Sequence, residues 1–177
     1  MRKLLNTFTV LLPVLALALA GSVVFGRLSP ASAQEATPAA GTAPPIQGVT
    51  FEILGGGEPA AAPGLTLAFV RMTIEPGGFI SAHGHPGAQI WYVQSGSFTK
   101  AMLEGTLRVT RAADGGTPSP AEPLASGDEA TLSAGDSAFF DADLVHTVSN
   151  EGAEPVVVLI PALLETGQEP LIFHANH

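Results

Sequence analysis

Gly77-Gly78-Phe79-Ile80-Ser81-Ala82-His83-Gly84-His85-Pro86-Gly87-Ala88-Gln89-Ile90-Trp91-Tyr92-Val93-Gln94-Ser95-Gly96 is the stretch that decides the fold. His83 and His85 stand two residues apart, and in a strand such residues point to the same face, so both imidazoles converge on one side. Pro86-Gly87 implies a bend that brings the Gln89 side chain back toward them. Gln89–Gln94 is β-branched and aromatic, and Ser95-Gly96 turns it into Ser97 onward, which is a hairpin pattern. Strict alternation puts Phe79 and Ser81 on the inward face with His83 and His85, and Trp91 and Val93 on the face of Gln89.

Outward from this stretch the chain continues to read as strands. Between Leu65 and Ile74 both alternating faces are largely apolar, as expected for a strand in a closed or sandwiched sheet. Glu75-Pro76-Gly77-Gly78 follows as a turn. Thr106–Arg111, Glu129–Leu132, Ser137–Phe140, His146–Ser149 and Val156–Ile160 are further strands, and Asp114 to Pro120 is an exposed loop rich in Gly and Pro. No stretch carries a long helical period, although Ala162–Gly167 suits a single helical turn. Short strands at this spacing predict an all-β sandwich or barrel.

The chain has 177 residues, room for one domain and a tail. It is 46% hydrophobic and only 13% charged, with 20 Gly and 15 Pro, a composition that folds through short elements and tight turns. Its net charge of −9 leaves no basic stripe for a phosphate backbone, so nucleic acid is excluded as a partner. Cysteine is absent, which removes disulfides, thiolate metal sites and cysteine nucleophiles. Any chemistry must come from His, carboxylates, amides or hydroxyls. No Gly-x-Ser-x-Gly or His-Glu-x-x-His occurs, so serine-hydrolase and zincin readings have no support.

Residues 1–33 read as a secretory signal peptide: Arg2 and Lys3, an uncharged run from Leu4 to Phe25, then Ala31-Ser32-Ala33 as a small-residue cleavage site. The protein is expected to be secreted or held in the cell envelope after cleavage near Ala33. The alternative is an uncleaved membrane anchor, since about 20 apolar residues span a bilayer. Residues 34–47 are an Ala/Pro/Thr-rich linker, 48–165 the folded domain, and 166–177 a C-terminal tail whose His174 and His177 are polar ornaments of the chain end. Val49–Leu54 suits an edge strand.

His146 arrives far downstream in another strand. Two His in close register plus one distant His is a common way to assemble a metal site across neighbouring strands. At these residues the sequence resembles the cupin family, through two motifs matched in spacing. Gly77, His83, His85, Gln89 and Gly96 reproduce the first, with Gln89 in place of the usual Glu. Gly135, Asp141, Asp143, His146 and Asn150 reproduce the second, with the two Asp in place of Pro and Gly. The resemblance covers roughly residues 64 to 161. It implies a double-stranded β-helix, or jelly-roll, barrel holding one divalent transition metal (Zn, Cu, Ni, Fe or Mn) through His83, His85, His146 and Gln89. It further implies a small-molecule ligand or substrate, a homodimer, and either dioxygenase-type oxidoreductase chemistry or non-catalytic binding of a metal or small ligand. Cupin decarboxylases of small dicarboxylates usually carry an Arg where this chain has Ser81, which argues against that activity. Arg71 is the one upstream cation expected to be able to face the barrel.

Overall fold

The computed structural model describes residues 45–113, 117 and 119–175. The expected signal segment, and the linker up to residue 44, lie outside the described residues. Eleven strands and no helix occupy the described part: β1 (Ile46–Gly57), β2 (Leu65–Gly84), β3 (Gly87–Ser95), β4 (Ser97–Glu104), β5 (Thr106–Thr110), β6 (Glu122–Ala125), β7 (Glu129–Ser133), β8 (Ser137–Phe140), β9 (Val145–Ser149), β10 (Val156–Glu165) and β11 (Ile172–Phe173). The protein is all-β. Every pairing is antiparallel, in the order β6-β5-β8-β3-β10-β2-β9-β4-β7, with β1 and β11 both added to β2, and the sheet curls into a nearly closed barrel. Period-two alternation fills it: Phe98 and Met102 of β4, Trp91 and Val93 of β3, and Val156, Val158 and Ile160 of β10 all point inward and are buried.

The long strand β2 joins the two halves. Its first part pairs with β10 from Leu65 to Ile74, and its last part pairs with β9 from Phe79 to His83. Glu75–Gly78, expected to end the strand, instead loops out of it: Ile74 lies opposite Val49 and Phe79 opposite Gln47, so five steps along β2 answer two along β1. Asn150 holds this excursion. Its side-chain amide donates to the Ile74 and Glu154 carbonyls, both at 2.9 Å, and its backbone exchanges hydrogen bonds with Gly77 and Gly78. At the other end of the barrel Ala134 N–H donates to Gly96 and Gly135 N–H to Val93. The first glycine of one motif therefore meets the last residue of the other, and the remaining two glycines bracket the opposite corner.

Three further expectations change. Ala162–Gly167 forms no helical turn, because β10 continues to Glu165, with Pro161 placed where the ladder to β3 is interrupted and no N–H is required. Residues 166–175 are no loose tail. Thr166 N–H donates to Gly64, His174 N–H donates to Ala82, and Ile172 and Phe173 pair with Gly84 and His83 of β2. β1 starts at Ile46, inside the segment expected to be linker.

At Gly87 two strands of the barrel wall come very close. Its φ is 148°, and a Cβ there would lie 2.2 Å from the Leu163 carbonyl oxygen on β10. Gly87→Ala combines that clash with an unfavourable dihedral and is expected to destabilise the protein by about 2 kcal/mol or more. Urea denaturation of the two proteins measures this; equal midpoints would contradict the close approach of β3 to β10.

Candidate metal centre

A β-bulge aims the two clustered histidines. On β2, Ile80 lies opposite Val148 and His83 opposite His146, so three steps on β2 answer two on β9. The extra residue shifts the alternation by one. Ile80 and Ala82 point inward before the bulge, and His83 and His85 point inward after it. Phe79 and Ser81, expected on the histidine face, are only half-buried and do not line the cavity. The backbone carbonyl of Ser81 is nevertheless used, accepting from His83 Nδ1 at 2.8 Å.

The three predicted histidines come together. His83 and His146 are fully buried and His85 nearly so. Ring centroids are 4.2 Å apart for His83–His146, 5.0 Å for His83–His85 and 5.3 Å for His85–His146. One ligating nitrogen from each lies within 4.8 Å of the others, the one such cluster among the described residues. His85 Nδ1 donates to the Pro170 carbonyl at 2.8 Å. Carbonyl oxygens only accept, so His83 and His85 both carry their proton on Nδ1 and keep a lone pair on Nε2. His83 Nε2 is buried with no hydrogen-bond partner. Burial pushes the His83 imidazole down to about 3 and the His85 imidazole to about 4, and the neighbouring ring of His85 lowers His83 further. His146 is lowered well below its ordinary value by burial and by Lys100 beside it. All three rings are neutral near pH 7, the state that ligates.

Lys100 is the residue the sequence reading missed. It is completely buried on β4, its Nζ 3.2 Å from His146 Nδ1 and within 3.8 Å of the Trp91 and Phe140 ring centroids. Burial holds its amine well below the ordinary lysine value. The alternation Phe98, Lys100, Met102 on one face of an otherwise apolar strand was a readable signal. Arg71, by contrast, does not face the barrel: it pairs with Glu52 of β1 and is 40% exposed. Asp141 and Asp143 are exposed turn residues, the first accepting from Ala142 N–H and the second taking a left-handed φ of 65° where the motif has Gly.

Gln89 sits in the same chamber and is 5% exposed. Its Oε1, the atom a metal would take, accepts the Trp91 indole N–H at 2.7 Å. Beside the histidines opens a cavity of about 430 Å³, lined mainly by apolar side chains such as Phe51, Val70, Ile80, Ile160 and Leu164. No Lys or Arg is among its lining residues.

Residues 70–161, just over half of the chain, match the family model described as a cupin domain. The chain is a cupin. Three solved structures are similar at low identity. A cupin 2 domain-containing protein from Halorhodospira halophila is 16% identical, with a TM-score of 0.45 over 73% of this chain and 72% of its own. A cupin 2 conserved barrel domain protein from Leptotrichia buccalis is 17% identical, with a TM-score of 0.42 over 65% of this chain and 40% of its own. A variant of oxalate decarboxylase from Bacillus subtilis is 21% identical, with a TM-score of 0.37 over 73% of this chain and 29% of its own. A search of curated proteins gives no match.

In this cupin Lys100 fixes the His146 ring from behind, as Ser81 and Pro170 fix the other two. Lys100→Met keeps the volume and removes the buried amine packed between Trp91 and Phe140. The metal-free barrel is expected to gain about 1–2 kcal/mol, while zinc affinity falls about tenfold because His146 loses its orienting partner. Thermal unfolding and a competitive chelator titration read the two effects; unchanged zinc affinity would contradict the orienting role.

Proposed function

We propose that His83, His85 and His146 hold one divalent transition metal at the edge of the apolar cavity. On this reading the protein is an exported oxidoreductase of dioxygenase type acting on a small, largely apolar molecule. The observation that carries the reading is His83 Nε2, a buried lone pair without a partner, turned toward two other imidazoles whose Nδ1 positions are already engaged. An unpaired buried acceptor costs free energy, and a cation shared with His85 and His146 removes that cost.

The protein's own groups supply the ligand chemistry. His83 and His85 are pre-set as Nε2 donors by the Ser81 and Pro170 carbonyls. His146 Nε2 lies 3.3 Å from His85 Nε2, so without a metal one ring proton bridges them, and His146 must carry it because His85 Nδ1 is committed to Pro170. For His146 to ligate, that proton moves to Nδ1, which faces the Lys100 amine at 3.2 Å. A redox-active ion bound there supplies the capacity to activate dioxygen beside an organic substrate. The cavity walls are mainly apolar and carry few groups that move protons, which suits oxygen chemistry better than hydrolysis.

Export rests on the segment 1–33. Pairing of two chains rests on β1, which pairs only with β2 among the described residues and leaves Ile53 79% exposed.

Elemental analysis of the purified protein and its His146→Ala variant tests the function. Stoichiometric iron, copper, manganese or nickel in the parent and none in the variant is the expected result. Unchanged metal content in the variant overturns the site, and zinc alone in protein from its native host overturns the oxidoreductase.

A further inference from the structure

Gln89 presents its side-chain amide at the cavity wall. The indole N–H of Trp91 can be accepted only by the amide oxygen, which settles the orientation of the Gln89 amide and puts its NH₂ on the other side. Gln89 makes this one side-chain hydrogen bond among the described residues, is nineteen-twentieths buried and lines the cavity. The cavity thus meets a fixed N–H donor without a side-chain partner, in a wall that is mainly apolar and whose other polar side chains, the histidines aside, are Thr66, Glu165 and Gln168. A donor in such a place favours a ligand with an acceptor at the matching point, because a ligand without one leaves the amide dry and unpaired.

The rest of the lining limits what else that ligand carries. Lys100 stands behind His146, Trp91 and Phe140 and is not among the lining residues, and no other Lys or Arg is. A carboxylate entering the cavity would lose its water without meeting a fixed cation of the chain. The net charge of −9 opposes its approach as well. We infer that the cavity selects an uncharged, mostly apolar molecule bearing a carbonyl-type oxygen, and that the Gln89 Nε2–H donor recognises that oxygen. This rests on the reading of the cavity as the substrate site and assigns Gln89 to the substrate rather than to the metal.

Trp91 is the only tryptophan of the chain and lines the cavity, so its fluorescence reports occupancy. Three probes of one shape separate the contributions: cyclohexyl methyl ketone, its hydrocarbon isostere isopropenylcyclohexane, and cyclohexanecarboxylate. Each is titrated into the full chain, both zinc-loaded and metal-free. The ketone is expected to bind roughly threefold to tenfold tighter than the hydrocarbon in both forms, the range of one net hydrogen bond, and the carboxylate weakest in the metal-free form. Gln89→Glu, titrated at a pH where its carboxyl is ionised, keeps an acceptor for the Trp91 indole and deletes the donor; Gln89→Leu deletes both. Both variants are expected to erase the ketone preference, and Gln89→Leu to keep hydrocarbon binding within about twofold of the parent. A ketone preference present only with zinc would make the metal the recognising group and overturn the inference. So would a preference that survives both variants, tightest binding of the carboxylate to metal-free protein, or no binding of any probe. Failure of the metal site appears separately, as unchanged metal content in His146→Ala with the ketone preference of the metal-free chain intact.

Discussion

Three neutral imidazoles packed within about 5 Å of one another can point their Nε2 atoms at a common place only if something holds each ring from behind. Here three different parts of the chain do so: the Ser81 carbonyl for His83, the Pro170 carbonyl for His85 and the Lys100 amine for His146. Each anchor depends on a separate feature of the fold. The bulge in β2 brings His83 and His85 inward, and the docking of residues 166–175 on β2 delivers Pro170. The alternation of β4 buries Lys100 under Trp91 and Phe140. The arrangement is costly without an occupant, because burial depresses all three imidazoles and leaves His83 Nε2 unpaired.

The same anchoring explains the division of labour between metal and cavity. Lys100 puts its amine toward His146 and away from the cavity, so the pocket keeps an apolar wall although a lysine lies within 4 Å of Trp91. Gln89 gives its oxygen to the indole and turns its nitrogen to the remaining space. With three neutral imidazoles and no carboxylate in the cluster, a divalent ion would keep most of its charge, a setting that favours imidazole-preferring metals over hard, oxygen-preferring ones.

The barrel was legible because its signals are local. Alternation located Ser137–Phe140 to the residue and β5, β7 and β9 to within one, and the spacing of the two motifs named the three histidines that meet. What escaped is what alternation cannot carry. A bulge adds a residue without a compositional mark, so the face of Phe79 and Ser81 was misassigned while that of His83 and His85 was right. Lys100 drew no role from the sequence because burial of a lysine is rare and its enclosure depends on Trp91 and Phe140 from other strands. The Ala162–Gly167 stretch reads as helical from its Ala and Leu content, yet it is sandwiched between β2 and β3, and that pairing decides its conformation. Pro170 is separated from His85 by 85 residues, and no local pattern reports their contact.

The central claim is that three imidazoles, held from behind by Ser81, Pro170 and Lys100, form one metal-binding shell. X-ray absorption at the zinc edge of the zinc-loaded protein tests it most directly. The account predicts three imidazole nitrogens at about 2.0–2.1 Å, with the outer-shell scattering of three histidine rings. A shell containing two or fewer imidazoles would contradict it.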